Sequence, residues 1–306
     1  MEEYRKGLLL AFATALISGV SVFVNGAAVK LSDPFVYTAL KNIGALAFLA
    51  ALVFAWRELS YFRSLSRRQW GMLALIGIIG GSVPFLMFFY GLKLGGAAAS
   101  SFIYRSLFLF AGVFGYFILK EKPDRRDFLG ALLILAGNAL LVSGSFELGA
   151  GPLLVLGATL LWALEYTLSR KALSSIQPRA VMVSRMLFGS LVLLGFLAYE
   201  GTLGSLFSLT SEMLVWLGVA SLLLFGFLAT WYTSLKYLPV FRATAILALG
   251  GLVTAALDLF FSSKALALSD ALGLVLLLIG VFAIAGVSEL ARALRRSGRP
   301  SPGPVE

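Results

Sequence analysis

An all-α integral membrane fold is expected: ten transmembrane helices in two inverted five-helix repeats around a central cavity. Three observations predict it. First, the 306 residues are 59% hydrophobic and only 13% charged, about half the charge of an average soluble domain. Mean hydropathy is +0.93. Second, apolar runs near the length needed to cross about 30 Å of hydrocarbon recur along the chain. Third, the second half repeats the first.

The spans are expected at 7–29, 34–56, 69–92, 97–119, 127–145, 150–172, 178–199, 211–235, 241–262 and 268–290. Short connections carrying Pro, Gly or charge separate them: KLSDP, KEKPDRR, FELGAGP and SSIQP. The start, MEEYRKG, runs straight into an apolar segment without an A-x-A-like site, so no cleavable signal is expected. Residues 291–306, ARALRRSGRPSPGPVE without its first residues' apolar partners, read as a basic, disordered cytoplasmic tail.

Basic residues set the orientation. Of the 25 Lys and Arg, 19 fall in connections on the N-terminal side, three (Lys30, Lys93, Lys264) on the other, and three inside spans. This asymmetry predicts cytoplasmic N- and C-termini in a cell (inner) membrane. It also accounts for the net charge of +10 without a nucleic-acid partner. No Cys and no His are present, which removes thiolate sites and the commonest metal and acid–base group. No cofactor is expected.

The repeat is carried by polar and small residues rather than by leucine. DFLGALLILAG (127–137) matches DALGLVLLLIG (270–280) at an offset of 143, which also pairs Lys93 with Lys236. An offset of 144 pairs GLLLA (7–11) with GPLLV (151–155), Pro34 with Pro178, and Lys41 with Arg185. The units are 1–146 and 147–290. Five spans is an odd number, so the second unit enters the membrane from the opposite side, as in many secondary transporters with a midplane site.

These features resemble a known family. Two five-span repeats, a Pro near the start of spans two and seven with a basic residue seven positions later, and LKE (119–121) before a D-x-L-G-x-x-L-x-L-x-G fifth span are similar to the EamA-type drug/metabolite transporters. The likeness covers about residues 7–290. It implies export of amino acids or other small metabolites by alternating access. The superfamily also holds carriers of nucleotide sugars and triose phosphates. The family glutamate matches Glu121, whereas the second half has SSK (262–264) there.

Five ionisable residues lie inside spans. Helical rise puts Lys41 and Arg105 roughly 10–12 Å, and Asp258 roughly 6 Å, from the outer ends of their spans. Glu165 and Arg185 form an inner layer that can neutralise itself, either as an ion pair holding helices together or as a proton-coupling site. The outer layer of Lys41, Arg105 and Asp258 has one positive charge in excess, which suits a carboxylate or phosphate. Tyr104, Trp231 and Tyr232 are candidate substrate contacts that also read as packing residues. Pro84, after GIIGGSV, loosens span three. The expected partners are a small-molecule substrate, the lipid bilayer and, as a candidate coupling ion, the proton; the sequence leaves the oligomeric state open.

A transporter of small polar or amphipathic metabolites such as amino acids is therefore the first reading. A carrier or exchanger of phosphorylated or nucleotide-linked anions is the alternative, and a non-transporting scaffold or a channel ranks below both. An enzyme is disfavoured because there is no His, Cys, phosphate loop or soluble catalytic domain. With no native Cys, the topology is directly testable. Ser66→Cys and Ser297→Cys should react with an impermeant thiol reagent only from the cytoplasm, and Gly204→Cys only from outside. Labelling of the last two from one side overturns the inverted arrangement.

Overall fold

A computed structural model describes residues 2–28, 31–94, 97–141, 149–262 and 267–286. All regular structure among them is helical. The first half holds α1 (Glu2–Ala28), α2 (Pro34–Ala55), α3 (Leu59–Ser64), α4 (Arg67–Gly81), α5 (Val83–Lys93), α6 (Ala97–Arg105), α7 (Leu107–Phe114) and α8 (Arg125–Leu140), with a π turn at Gly115–Leu119. The second holds α9 (Ala150–Ala172), α10 (Pro178–Tyr199), α11 (Ser211–Tyr237), α12 (Val240–Leu247), α13 (Gly250–Ser262) and α14 (Leu268–Ala285). Hydrocarbon offers no hydrogen-bond partner, so the backbone closes its own bonds and only helices suit such apolar segments.

Among the described residues, eight spans are long and apolar enough to cross a membrane, or nine if the bent pair Ala99–Arg105 and Leu107–Leu119 is one span. The expected fifth span is α8, with 16 residues; its expected end, 142–145, lies outside the described residues, as do Lys30, Lys264 and the tail after residue 286. Helix starts carry the capping chemistry that the sequence supplies. Asp33 accepts the Phe35 and Val36 N–H groups just ahead of Pro34. Ser66 with Gln69, and Asp124 with Asp127, form reciprocal capping boxes. The Asp127 backbone N–H holds the Asp124 carboxyl below the usual carboxylate range.

Three of the expected spans are broken. Span three breaks at Ser82, between α4 and α5. Span four breaks at Ser106 with a bend of 40°. Span nine breaks at Ala248–Leu249, where i→i−3 bonds replace the α ladder. Ser106 and Leu249 are 143 residues apart, so the breaks in spans four and nine occupy the same place in each repeat.

Helix packing obeys the same correspondence. α1 packs on α11, and its counterpart α9 packs on α4 and α5. α4 packs on α10, and α11 packs on α2. α9 contacts α6 and α7, and α1 contacts α12 and α13. The most extensive helix contacts all join one half of the chain to the other. Glycine pairs mark the closest approaches. A Cβ on Gly130 would lie 2.6 Å from the Gly280 carbonyl oxygen, and one on Gly273 would lie 2.8 Å from the Gly137 carbonyl oxygen. Offset 143 converts one contact into the other.

This α8–α14 seam has no room for a methyl group. Gly130→Ala and Gly273→Ala should each destabilise the protein by about 1–3 kcal/mol, the usual cost of overpacking, read as a lower thermal midpoint in detergent. An unchanged midpoint for either would show that the seam can open without cost.

Candidate functional site

The site begins with a proline. Pro84 has no N–H, so the carbonyl of Gly80, four residues earlier, has no helical donor. The Phe85 N–H bonds to Ser82 instead, which leaves the Gly81 carbonyl free as well. Side chains from other helices occupy both. Arg185 Nη2 and Trp162 Nε1 donate to the Gly80 oxygen at 2.9 and 3.2 Å. Asn42 Nδ2 donates to the Gly81 oxygen at 3.0 Å. Gly80 must be glycine here, because a Cβ would meet Glu165 Cγ at 2.5 Å.

Glu165 lies at the centre and is fully buried. Its Oε1 accepts from Ser169 at 2.6 Å and from Tyr232 at 2.8 Å. Its Oε2 is 3.8 Å from Arg185 Nε, an ion pair without a hydrogen bond. Oε2 and Nε both lack a hydrogen-bond partner among the described residues, as do the buried Asn42 Oδ1, Ser184 Oγ and Trp231 Nε1. Trp162, Glu165 and Ser169 stand at i, i+3 and i+7 and so share one face of α9.

Lys41 approaches the cluster from α2. It is 8% exposed. Its ammonium lies 5.4 Å from the centre of the Tyr37 ring and 5.9 Å from that of Phe85, within the range of a cation–π contact. Asn25 Oδ1, which accepts from the Tyr37 hydroxyl at 2.7 Å, is 3.5 Å from Lys41 Nζ. Lys41 thus adds a second buried cation on α2, one residue before Asn42, which bonds to the Gly81 carbonyl. Aromatic rings form the wall beside them. Trp162 packs against Phe85, Phe88 and Tyr104 at centroid distances of 5.1, 5.6 and 5.5 Å. Tyr104 is nonetheless 41% exposed.

The structure thus brings Glu165, Arg185 and Tyr232 together, with Tyr104 beyond Trp162 and Lys41 against Phe85, which also packs on Trp162. Trp231 and Tyr232 are fully buried, with Trp231 edge-on to Tyr166 at 4.7 Å. Arg105 and Asp258 stand apart. Arg105 ends α6 at the Ser106 break, where its freed carbonyl accepts from Asn138 at 3.4 Å, and its side chain has no ion-pair partner among the described residues. Asp258 is exposed on α13. Among the described residues Lys41, Arg105 and Asp258 share no hydrogen bond, ion pair or ring contact, so the expected outer layer does not form a contact set. A separate apolar cleft, lined by Leu52, Trp56, Arg179, Met182 and Phe225, opens between α2, α10 and α11, away from this cluster.

Sequence reasoning missed Gly80, Trp162, Ser169 and Asn42. The signals were present in the Pro84 offset of four and in the shared helical face of W-A-L-E-Y-T-L-S.

Comparison with known proteins agrees with this architecture. The model of the EamA-like transporter family matches residues 5–143 and again 149–286. An uncharacterized transporter of Bacillus subtilis, YwfM, is 26% identical over 288 residues, covering 90% of this chain and 92% of that protein. An uncharacterized transporter from the cobO 3' region of a Sinorhizobium species is 30% identical over 133 residues, 44% of this chain and 92% of that protein. A crystal structure superposes with a TM-score of 0.76 at 19% identity, covering 92% of this chain and 98% of that one, and shares the fold. The chain therefore belongs to the EamA-like transporter family and is a multi-pass membrane transporter with that family's unit in two copies.

Proposed function

We propose that this protein is a secondary transporter, in the exporting direction, of small amphipathic metabolites that carry an anionic group. Amino acids are the first class. The observation that carries this reading is the buried Glu165–Arg185 ion pair, whose Oε2 and Nε have no hydrogen-bond partner among the described residues, beside the Trp162 and Tyr104 rings and with a second buried cation, Lys41, against Phe85. The unpartnered polar atoms there suit exchange with a substrate, since a buried polar group without a partner costs about 1–3 kcal/mol. Spans broken at corresponding positions of two halves are a recurrent feature of transporter binding sites.

In this reading α8 completes a set of ten spans, the two halves have opposite orientation, and the site alternates between the two sides. The 19-to-3 distribution of basic residues supports cytoplasmic termini in the inner membrane. Arg105, desolvated beside the span-four break without an ionic partner among the described residues, is a second contact for the substrate's anionic group. This excess of positive charge also favours phosphorylated or nucleotide-linked anions as the alternative class. Glu165 is the candidate proton carrier.

The test is flux in sealed proteoliposomes after a thermal-shift screen for ligands, which raise the midpoint of the state they bind. Lys41→Ala should lower flux about tenfold or more with a midpoint near wild type. Arg105→Lys should weaken flux, and Arg105→Ala should nearly abolish it without loss of fold. Normal flux in both Ala variants would remove this site.

Glu165→Ala and Arg185→Ala should each destabilise by about 3–5 kcal/mol, because the partner is left as a buried lone charge. The double variant should lose less than the sum; additive losses would show that the two are not coupled. Glu165→Gln that folds but loses the pH dependence of flux would assign it the proton.

A further inference from the structure

A second polar network lies at the end of the bundle that carries the N-terminus. Glu121, in the turn before α8, accepts the Val240 N–H at the start of α12 through both oxygens, at 3.2 and 2.9 Å. Arg170 Nε, at the end of α9, is 3.9 Å from the same carboxylate, and its Nη1 donates to the Lys236 carbonyl at 2.7 Å. Arg242, two residues into α12, donates to Asp127 at 3.0 Å, to Asp124 at 2.9 Å and to the Tyr4 hydroxyl at 3.0 Å. Apolar contacts close the gap beside them. Phe108 of α7 meets Phe241 at a centroid distance of 6.2 Å. A Cβ on Gly112 would lie 2.6 Å from Phe241, and one on Gly115 would lie 2.8 Å from Val240.

This network holds one half-helix by its first turn. A carboxylate at a helix start satisfies an orphan N–H and complements the helix dipole. The Arg242 guanidinium ties the same turn to α8 and α1, which lie on either side. Every tie crosses between the halves of the chain except the Arg170 bond to Lys236.

The repeat positions at the opposite end lack the network's two cations. The repeat counterpart of Arg242 is Ala99, and that of Arg170 is Gly26. The counterpart of Glu121 is Lys264, outside the described residues. On the half-helix equivalent to α12, Ser100 is as buried as its counterpart Ala243, but Ser101 and Ile103 are half-buried and Tyr104 is exposed, whereas their counterparts Thr244 and Ile246 are buried and Leu247 is half-buried.

We propose that Glu121 and Arg242 are positioning residues of the transport cycle: they clamp α12 shut at the N-terminal end and make that closed state the resting one. The clamp rests on the alternating-access reading above. It makes the cycle unequal, since opening this end requires a charged network to separate, and no such network joins the described residues at the other end. Its residues lie outside the Lys41–Arg185–Glu165 cluster, so they set which end is open rather than what is bound.

The test uses the full chain in lipid nanodiscs, where both ends meet the reagent, and needs no substrate. Ala243→Cys reports α12. Ser101→Cys, one turn from Tyr104 on α6, reports the other end. In the otherwise wild-type chain Ser101→Cys should react fast with a polar maleimide and Ala243→Cys slowly. Adding Glu121→Ala, or in a second chain Arg242→Gln, should raise the Ala243→Cys rate and lower the Ser101→Cys rate, each by about tenfold, the size of effect expected from losing one charged helix cap. Faster reaction at both sites would mean that the network only braces the fold. No change at either would mean that packing alone holds α12. Both results overturn the clamp and leave the transport reading to the flux assay.

Discussion

The carbonyl of Gly80 is the acceptor around which the buried charges are arranged. A guanidinium within a bilayer costs at least about 2.5 kcal/mol, and hydrocarbon offers it nothing in return. Here Pro84 removes the donor that would have occupied Gly80, and Arg185 takes its place. Trp162 shares the same oxygen, and Glu165 packs against the Gly80 Cα where no side chain intervenes. The break at Ser82, the burial of Arg185 and the orientation of Trp162 thus have one origin: a missing N–H in α5.

The two halves share a plan, and their differences locate the chemistry. Spans four and nine break at matching positions, and glycine contacts across α8 and α14 occur twice. Span three breaks at Ser82, whereas α11, its counterpart, runs unbroken from Ser211 to Tyr237. That unbroken helix carries Tyr232 to Oε1 of Glu165. The broken one supplies the free carbonyls opposite. A symmetric scaffold therefore encloses an asymmetric centre, with the acid in one half and the carbonyl acceptors in the other.

Much of this was legible in the chain. Span positions follow from apolar run length, because the bilayer thickness is a fixed external ruler. The repeat was readable from Asp, Gly, Pro and basic residues, and it correctly paired Lys41 with Arg185 as counterparts. The proximity of Glu165 and Arg185 followed from their similar depth. Depth alone, however, says nothing of azimuth around a helix. Lys41, Arg105 and Asp258 were grouped by depth, yet they stand on α2, α6 and α13 and share no contact among the described residues. The break at Ser106 was invisible because no Pro or Gly marks it; only the competing Leu109 N–H to Ser106 bond reveals it. Trp162 shares a helical face with Glu165 at i and i+3, a spacing that points to it only once Glu165 is known to be central.

The interleaving of the halves has a consequence for how the protein is made. Almost every large helix contact of residues 2–141 is with residues that the ribosome has not yet read when those helices enter the membrane. Synthesis at about 5–20 residues per second leaves the first half waiting roughly 7–30 s for its partners. During that interval Arg185 is not there to bond the Gly80 carbonyl. The nascent half must then be kept company by water, lipid headgroups or the insertion machinery. Maturation is a capture of one half by the other, and it ends only when α14 closes on α8.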